Sequence, residues 1–558
     1  MSAPPPDQPG SLPAERARPG PSRAETAVLT ARTVARLRPA QVAHRARLRA
    51  LGVVEHRWPA LTARPSRPAR RPGWPVGFEP LDATADHGDP VELGAGRFCF
   101  LACTRCLGEP ADWHQTGASR LWRFHLHYME WAWALLQHPE RDEARSAFSR
   151  LWRSWRAAGA GPPRDMWSPY VASLRLWVLC GVFEGLAACG EVEADVVEQI
   201  SWHAGYLRTH LELDVGGNHL VKNLKALIGA GVFLGRADLV SAARIRLVDE
   251  LAVQVLADGG HFERSPSYHA QVLGDLIDVA GLLAAAGEPP LADLEPAIGA
   301  MRSWLDAMVG DDGDVALYND AVPLGSERLA ALGPTGGPRA RLRVLGPSGY
   351  VVLRPDQRSL LVIDVGDPCP PDLPAHAHAD CLSVQLWVDG ERCVLDTATS
   401  TYEPGARRAY ERSTAAHSTV EVDGQDQTEV WATFRAARRA AGTLEEVEVH
   451  GDTVVVVASH DGYRRLTGAP LHRRRLSASP GALVIEDQLL GAGRHVVVSR
   501  LHTPAGPTAC TITGAGGQVS EQAATAAWGF GNLRASRCHL LSVETELPVT
   551  LSWKLTWT

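Results

Sequence analysis

Three side chains able to transfer protons or bind a metal alternate in the segment PAHAHADCLSVQLWVDG: His376, His378 and Asp380. On an extended chain a period of two turns all three to one face, just ahead of a strand-like run. Such groups suit a dry core poorly, because each would lose water without gaining a partner. Further on, Asp396 in VLDTATSTY and His417 in STAAHSTV add a carboxylate and an imidazole, donor types that zinc accepts. Spacing alone leaves metal binding and proton transfer both open.

The first half of the chain holds a second group. GGNHLVKNLKALIGAG sets Asn218 and His219 behind two glycines at the head of an apolar-periodic helix. Paired glycines permit close backbone approach and an irregular turn, which suits presentation toward a cleft, although Asn218 serves equally well as a helix cap. ADGGHFERSPSYHAQVLGDL repeats the device with His261, Glu263, Arg264, Tyr268 and His269. Tyr268 by itself reads as a packed tyrosine, and its polar setting makes it a catalytic candidate. Trp113, Trp122, Trp131, Trp167, Tyr170 and Trp177 belong to a chain with 17 tryptophans. Their spacing suits a helical core, and stacking on sugar rings is the functional alternative. Arg407, Arg408, Arg412, Arg435, Arg438 and Arg439 form either a solvated face or a surface that pairs with carboxylates or sulfates.

These groups must be positioned by two kinds of element. From residue 27 to about 330 apolar residues recur at helical spacing, as in Leu247, Val248, Leu251, Val255 and Leu256, with Gly and Pro between the segments. This pattern predicts an all-α domain of helical hairpins, without a fixed-period sequence repeat. After GPTGGPRARLRVLGPSG the texture changes to short β-branched runs such as YVVLR, SLLVIDV and DTVVVVAS, which predict an antiparallel sandwich to the C-terminus. The expected boundary lies near residue 340.

Composition narrows the classes. With 558 residues, 45% of them hydrophobic, the chain can bury a large core in about two to four domains, which excludes a disulfide-stapled miniature. A net charge of -7 offers no general attraction for nucleic acid, and a polyanionic substrate would need a locally basic groove. Ten cysteines include one close pair, Cys103 and Cys106, without the second pair of a zinc ribbon, so reduced and mostly buried thiols are expected. Residues 1–26 read as a disordered Pro/Ala/Arg-rich tail without the apolar core of a secretion signal. No apolar run reaches the roughly 20 residues of a membrane span, and the default location is cytoplasmic, with cell-surface or periplasmic association left open.

Taken in order, LWRFHLHYMEW, SPYVASLRLW, GGNHLVKNLKAL, DGGHFERSPSYHAQVL, HAHADCLSVQLWVDGERCVLDTATSTYEPG, RSTAAHSTVEVDGQDQTEVW and HDGYRRLTGAPLHRRRL resemble the heparinase II/III-like polysaccharide lyases. The resemblance implies an incomplete (α/α) toroid over 27–335 and an antiparallel β-sandwich over 345–558. It also implies β-elimination on an acidic polysaccharide containing uronic acid. By motif, Asn218 and His219 would bind the substrate carboxylate, Tyr268 would act as acid and also as base, and His376 would be the second proton-transfer group. Arg264 would supply positive charge near Tyr268, with Arg412 and Trp122 as further substrate-binding residues. His378, Asp396 and His417 would hold a structural zinc ion, with Asp380 behind them or ending the strand. Lys222 stands where many relatives carry Glu. The other readings are glycoside hydrolysis, for which Glu263 and Asp320 are the candidate carboxylates, and a non-catalytic role in glycan binding or exopolysaccharide assembly. Self-association as a homodimer is left open.

Overall fold

A computed structural model describes residues 20–57, 65–70, 72–159, 165–333 and 339–558. Helices dominate up to Leu332, and the first strand of the β-half begins at Leu342. The helical half is an incomplete (α/α) toroid and the remainder an antiparallel β-sandwich.

Burial distinguishes two kinds of helix in the toroid. Along Arg141–Ala158, Ala144, Ala147, Phe148, Leu151, Trp152 and Trp155 are buried, an apolar stripe with a charged opposite face. Helices Pro169–Val182 and Gly217–Leu234 are buried almost all round, as inner members of the ring must be. Residues Pro169–Ala187 are long and apolar enough to cross a membrane, but 78% of that stretch is buried within the protein. Trp113, Trp122, Trp131 and Trp177 all belong to the core.

Charged side chains also join the inner helices. Lys222 donates to Asp275 at 2.7 Å, and Lys225 reaches Asp275 at 2.9 Å and Asp278 at 2.5 Å. Asn218, Lys222 and Lys225 share one face of Gly217–Leu234, while Tyr268, Gln271, Asp275 and Asp278 share one face of Pro266–Ala285. The buried ion pairs therefore set the two helices that carry Asn218 and Tyr268 against each other.

The β-half opens with a five-stranded antiparallel meander from Leu342–Leu345 to Glu391–Val394. A six-stranded and a four-stranded sheet follow. In Leu471–Ser479 and Ala482–Leu490 buried and partly exposed residues alternate, the period-two pattern of strands packed on one face.

The chain's first described helix, Arg23–Val34, starts inside the segment expected to be a tail. Its cap is a reciprocal pair: Ser22 Oγ accepts from the Glu25 amide, and the Glu25 carboxylate accepts from the Ser22 amide. The rest of that expectation, residues 1–19, lies outside the described residues. This helix meets the β-half, with Arg32 on Glu429 at 2.8 Å and Trp431 Nε1 donating to Thr33 Oγ1 at 3.1 Å. The next helix, Pro39–Arg57, lies on the toroid, with Arg45 on Asp214 at 2.9 Å. All ten cysteines are free thiols. Six are buried and Cys99, Cys103, Cys106 and Cys189 are exposed, in keeping with reduced and mostly buried thiols.

Close packing within the toroid gives a direct test. A Cβ at Gly181 would lie 2.1 Å from the Trp133 ring and 2.9 Å from the Trp74 ring. Gly181→Ala is expected to lower stability by about 1–3 kcal/mol through overpacking, read as a lower urea midpoint with an unchanged slope.

Candidate active site

The helical side of the site is built on a glycine. Gly217 has φ +55°, and a Cβ there would fall 1.8 Å from Glu263 Oε1, so only glycine lets the carboxylate approach the helix start. Glu263 accepts from the Asn218 amide at 3.0 Å and from Asn218 Nδ2 at 2.8 Å. His219 holds Glu212 through Nδ1 at 3.0 Å and packs against the Tyr170 ring at 4.3 Å. Burial alone would depress the basicity of His219, but the Glu212 carboxylate outweighs it and raises its pKa. Pro266 occupies the first turn of Pro266–Ala285, where its missing N–H costs nothing, and this places Tyr268 at the cleft end of the helix.

The β-half supplies the opposite wall. His376 lies with its ring 3.9 Å from that of Tyr268, and Tyr268 Oη is 2.8 Å from Tyr402 Oη. His376 Nδ1 is 3.0 Å from Asp320 Oδ2, and its Nε2 is 3.7 Å from Glu263. Residues 374–383 form a loop rather than an extended strand, and Val384 is the first strand residue. His376 and His378 nevertheless converge, because both bond to Asp320, His378 through Nε2 at 2.9 Å. Arg408 adds two donations and Thr399 one at 3.2 Å. Burial alone would raise the Asp320 pKa, but Arg408 and the two imidazoles hold it well below the usual carboxylate range.

Beside this hub, His378 Nδ1, Asp380 Oδ1 and His417 Nε2 are buried with no hydrogen-bond partner. The three residues bring ligand atoms within 4.8 Å of one another, the one such group among the described residues. Two imidazole nitrogens and a carboxylate oxygen form a donor set that zinc accepts, and three orphaned buried polar atoms fit an ion between them. His378 and His417 meet as the motifs implied, but Asp380 completes the group. Asp396 lies behind His417, 2.7 Å from its Nδ1, where it orients the ring. Asp380 is thus the carboxylate whose oxygen meets the two imidazole nitrogens, where the motifs implied Asp396. His378 stays neutral because burial lowers its pKa to about 3.

Other expectations are redistributed. Trp122 is 1% exposed and donates to the Cys103 carbonyl at 2.9 Å, so it cannot stack on substrate. Arg412 is equally buried and grips the Ala377 carbonyl at 2.8 Å, which positions the histidine loop without facing the cleft. Arg264, at φ +58°, turns its guanidinium to the Asp367 carbonyl, away from the Tyr268 hydroxyl. Its charge does not assist the phenol. Burial raises the Tyr268 pKa well above 10, and Tyr402 and Asp320 add to the effect, so the free protein favours the acid role over the base role. Lys222 is committed to Asp275.

Asp320, Arg408, Tyr402 and Gln271 were not picked out for these positions. Gln271 Nε2 links Tyr170 Oη at 3.1 Å to Asn218 Oδ1 at 3.5 Å. The available signal was the polar triplet of Tyr318, Asn319 and Asp320 in the otherwise apolar ALYNDAV. Asn319 Nδ2 donates to the Arg264 carbonyl at 3.0 Å, and Asn319 Oδ1 accepts from the His378 amide at 3.0 Å. The carboxylates considered for hydrolysis, Glu263 and Asp320, face the two nitrogens of one imidazole. For Glu263 too, burial is outweighed, here by nearby histidines and the Asn218 bonds, and its pKa is lowered. Their surroundings thus favour the ionised form of both over the protonated acid that glycoside hydrolysis requires.

Residues 105–290 match the family described as Heparinase II/III N-terminus, and residues 337–553 match Heparinase II/III-like, C-terminal. The chain belongs to the heparinase II/III-like family. This heparinase II/III-like protein is 28% identical over 449 residues to FtsZ-localized protein C of Caulobacter vibrioides, a match covering 78% of this chain and 74% of that protein. It is 24% identical over 330 residues to a heparin-sulfate lyase of Bacteroides stercoris, covering 52% and 46%. Crystalline heparinase III shares its fold with a TM-score of 0.68 at 16% identity, over 80% of this chain and 79% of that one.

The grouping of Asp380 with the two histidines has a measurable consequence if zinc is what they hold. Asp380→Asn is expected to abolish zinc uptake in a chelator-competition titration. Asp396→Asn should weaken it by about 10–100-fold, the usual effect of losing an outer partner of a ligand. Equal losses would restore Asp396 to the ligand set.

Proposed function

We propose that this chain is a carbon–oxygen lyase that cleaves a uronic-acid-containing polysaccharide by β-elimination, leaving a 4,5-unsaturated sugar at the new non-reducing end. The observation that carries this reading is the packing of Tyr268 on His376 across the junction of the two halves. Elimination requires a neutralised substrate carboxylate, a base at C5 and an acid at the glycosidic oxygen. His219, with its raised pKa, and Asn218 face the carboxylate.

Asp320 orients the His376 ring through Nδ1, and Nε2 is the atom assigned to take the C5 proton. Tyr268 remains protonated at neutral pH and gives its phenolic proton to the departing C4 oxygen. The C5–H and C4–O bonds break and the C4–C5 double bond forms, so electrons balance without an added reactant. Tyr402, hydrogen-bonded to Tyr268, relays the replacement proton. His378, Asp380 and His417 are the residues that would hold zinc. When bound, zinc supplies fixed positive charge that stabilises the loop beside His376, and the proton transfers are left to Tyr268 and His376.

The likeness to FtsZ-localized protein C favours a second reading, in which the cleft binds an acidic glycan without cleaving it, in a protein placed with FtsZ. Incubation with a panel of uronic-acid polysaccharides, followed by the ultraviolet absorbance of the unsaturated product, separates the two. Tyr268→Phe and His376→Ala should each lower the rate by about 10²–10⁴-fold, the usual worth of a general acid or base. Glycan binding without absorbance on any polymer would select the second reading, and saturated fragments would sink both.

A further inference from the structure

The sandwich interior contains a charged network that the proposed chemistry does not use. Arg474 on strand Leu471–Ser479 stands opposite Asp487 on Ala482–Leu490, and both are fully buried. Its Nε donates to Asp487 Oδ1 at 2.6 Å and its Nη2 to Oδ2 at 3.0 Å. His472 Nε2 is 2.9 Å from Asp487 Oδ1 and its Nδ1 is 3.1 Å from His460. Ser499 donates to Asp487 Oδ2 at 2.7 Å and accepts from Trp553 Nε1 at 2.9 Å, which ties the network to the neighbouring strands. A buried ion pair is a costly way to fill a core, and a well-packed apolar set is often at least as stable.

The remaining donor of Arg474 leaves the strands altogether. Nη1 bonds the Leu382 carbonyl at 2.6 Å and the Ser418 carbonyl at 2.8 Å. Leu382 follows Asp380 by two residues, and Ser418 follows His417 directly. Leu382 also has φ +61°, a left-handed conformation that a leucine holds only when its surroundings impose it. A planar guanidinium can satisfy a carboxylate on one edge and two carbonyls on another, whereas an ammonium is a single point of charge.

We propose that Arg474 is a positioning residue that staples the loop carrying His376, His378 and Asp380 to the loop carrying His417, with Asp487 aiming the guanidinium. The two loops are thereby held in register from below, on the side away from the cleft. The part of this inference that concerns zinc rests on the metal reading given above, whereas the coupling of the loops does not.

Hydrogen–deuterium exchange on the full chain tests it, with Arg474→Lys as the main variant. Exchange is expected to rise by about tenfold or more in peptides covering 378–383 and 415–419 together, while amides of Leu471–Ser479 and Ala482–Leu490 stay protected. Zinc affinity, by competition with a chromogenic chelator, should fall by about 10–100-fold. Asp487→Asn, which leaves Arg474 in place but removes the charge that aims it, should loosen the same two segments to a smaller extent. Unchanged loops in folded variants, or loosening spread evenly over the sandwich, would overturn the proposal, as would collapse of both variants, which would make Arg474 a folding residue. A wild-type protein that takes up no zinc would sink the metal reading, and the exchange result would still decide the staple.

Discussion

The site depends on keeping one buried carboxylate ionised. Asp320 has no measurable exposure, and an isolated carboxylate there would take up a proton rather than stay charged. Arg408, His376, His378 and Thr399 together prevent this, and they come from three separate stretches of the β-half. Asp320 itself follows the last long helix of the toroid and precedes the first sheet of the β-half. Satisfying this one group therefore draws the histidine loop, the 397–402 segment and the Arg408 helix to the junction of the two halves. The orientation of the His376 ring follows from that arrangement.

Much of this architecture was legible in periodicity. The shift from a helical period to β-branched runs near residue 340 agrees with the interval between the last toroid helix, ending at Leu332, and the first strand of the β-half, starting at Leu342. Paired glycines before Asn218 signalled a close approach, and the structure supplies its cause in the Glu263 carboxylate. Individual roles were less legible, because they depend on which atoms meet in space. Asp380 and Asp396 are chemically alike, and only the fold decides which stands beside His378. Arg412 and Trp122 have residue types suited to sugar recognition, yet the fold uses them to hold a carbonyl and to fill a core.

Desolvation sets the chemistry of the tyrosine. Positive charge placed beside the phenol would have made Tyr268 a better base, but Arg264 points elsewhere and burial dominates. The same burial that makes the tyrosine a weak base makes it a persistent proton carrier, while the lowered pKa of His378 leaves that imidazole neutral, the form in which a nitrogen lone pair can bind a metal. Two adjacent histidines thus acquire different work from their surroundings alone.

The helical half contributes Asn218, His219 and Tyr268 to the cleft, and the β-half contributes His376 and Tyr402. Gln41 spans the same junction, facing the Asp214 carbonyl of the toroid at 3.3 Å and the Asp372 carbonyl of the β-half at 3.4 Å. Apolar contacts cross it as well, because Trp304, Met308 and Tyr318 share a buried cluster with Tyr350, Val352 and Trp387. The 3.9 Å approach of Tyr268 to His376 is therefore fixed by contacts along the whole seam rather than by the two side chains alone. The geometry of that pair is thereby written partly into residues, such as Gln41, that lie far from both in the sequence.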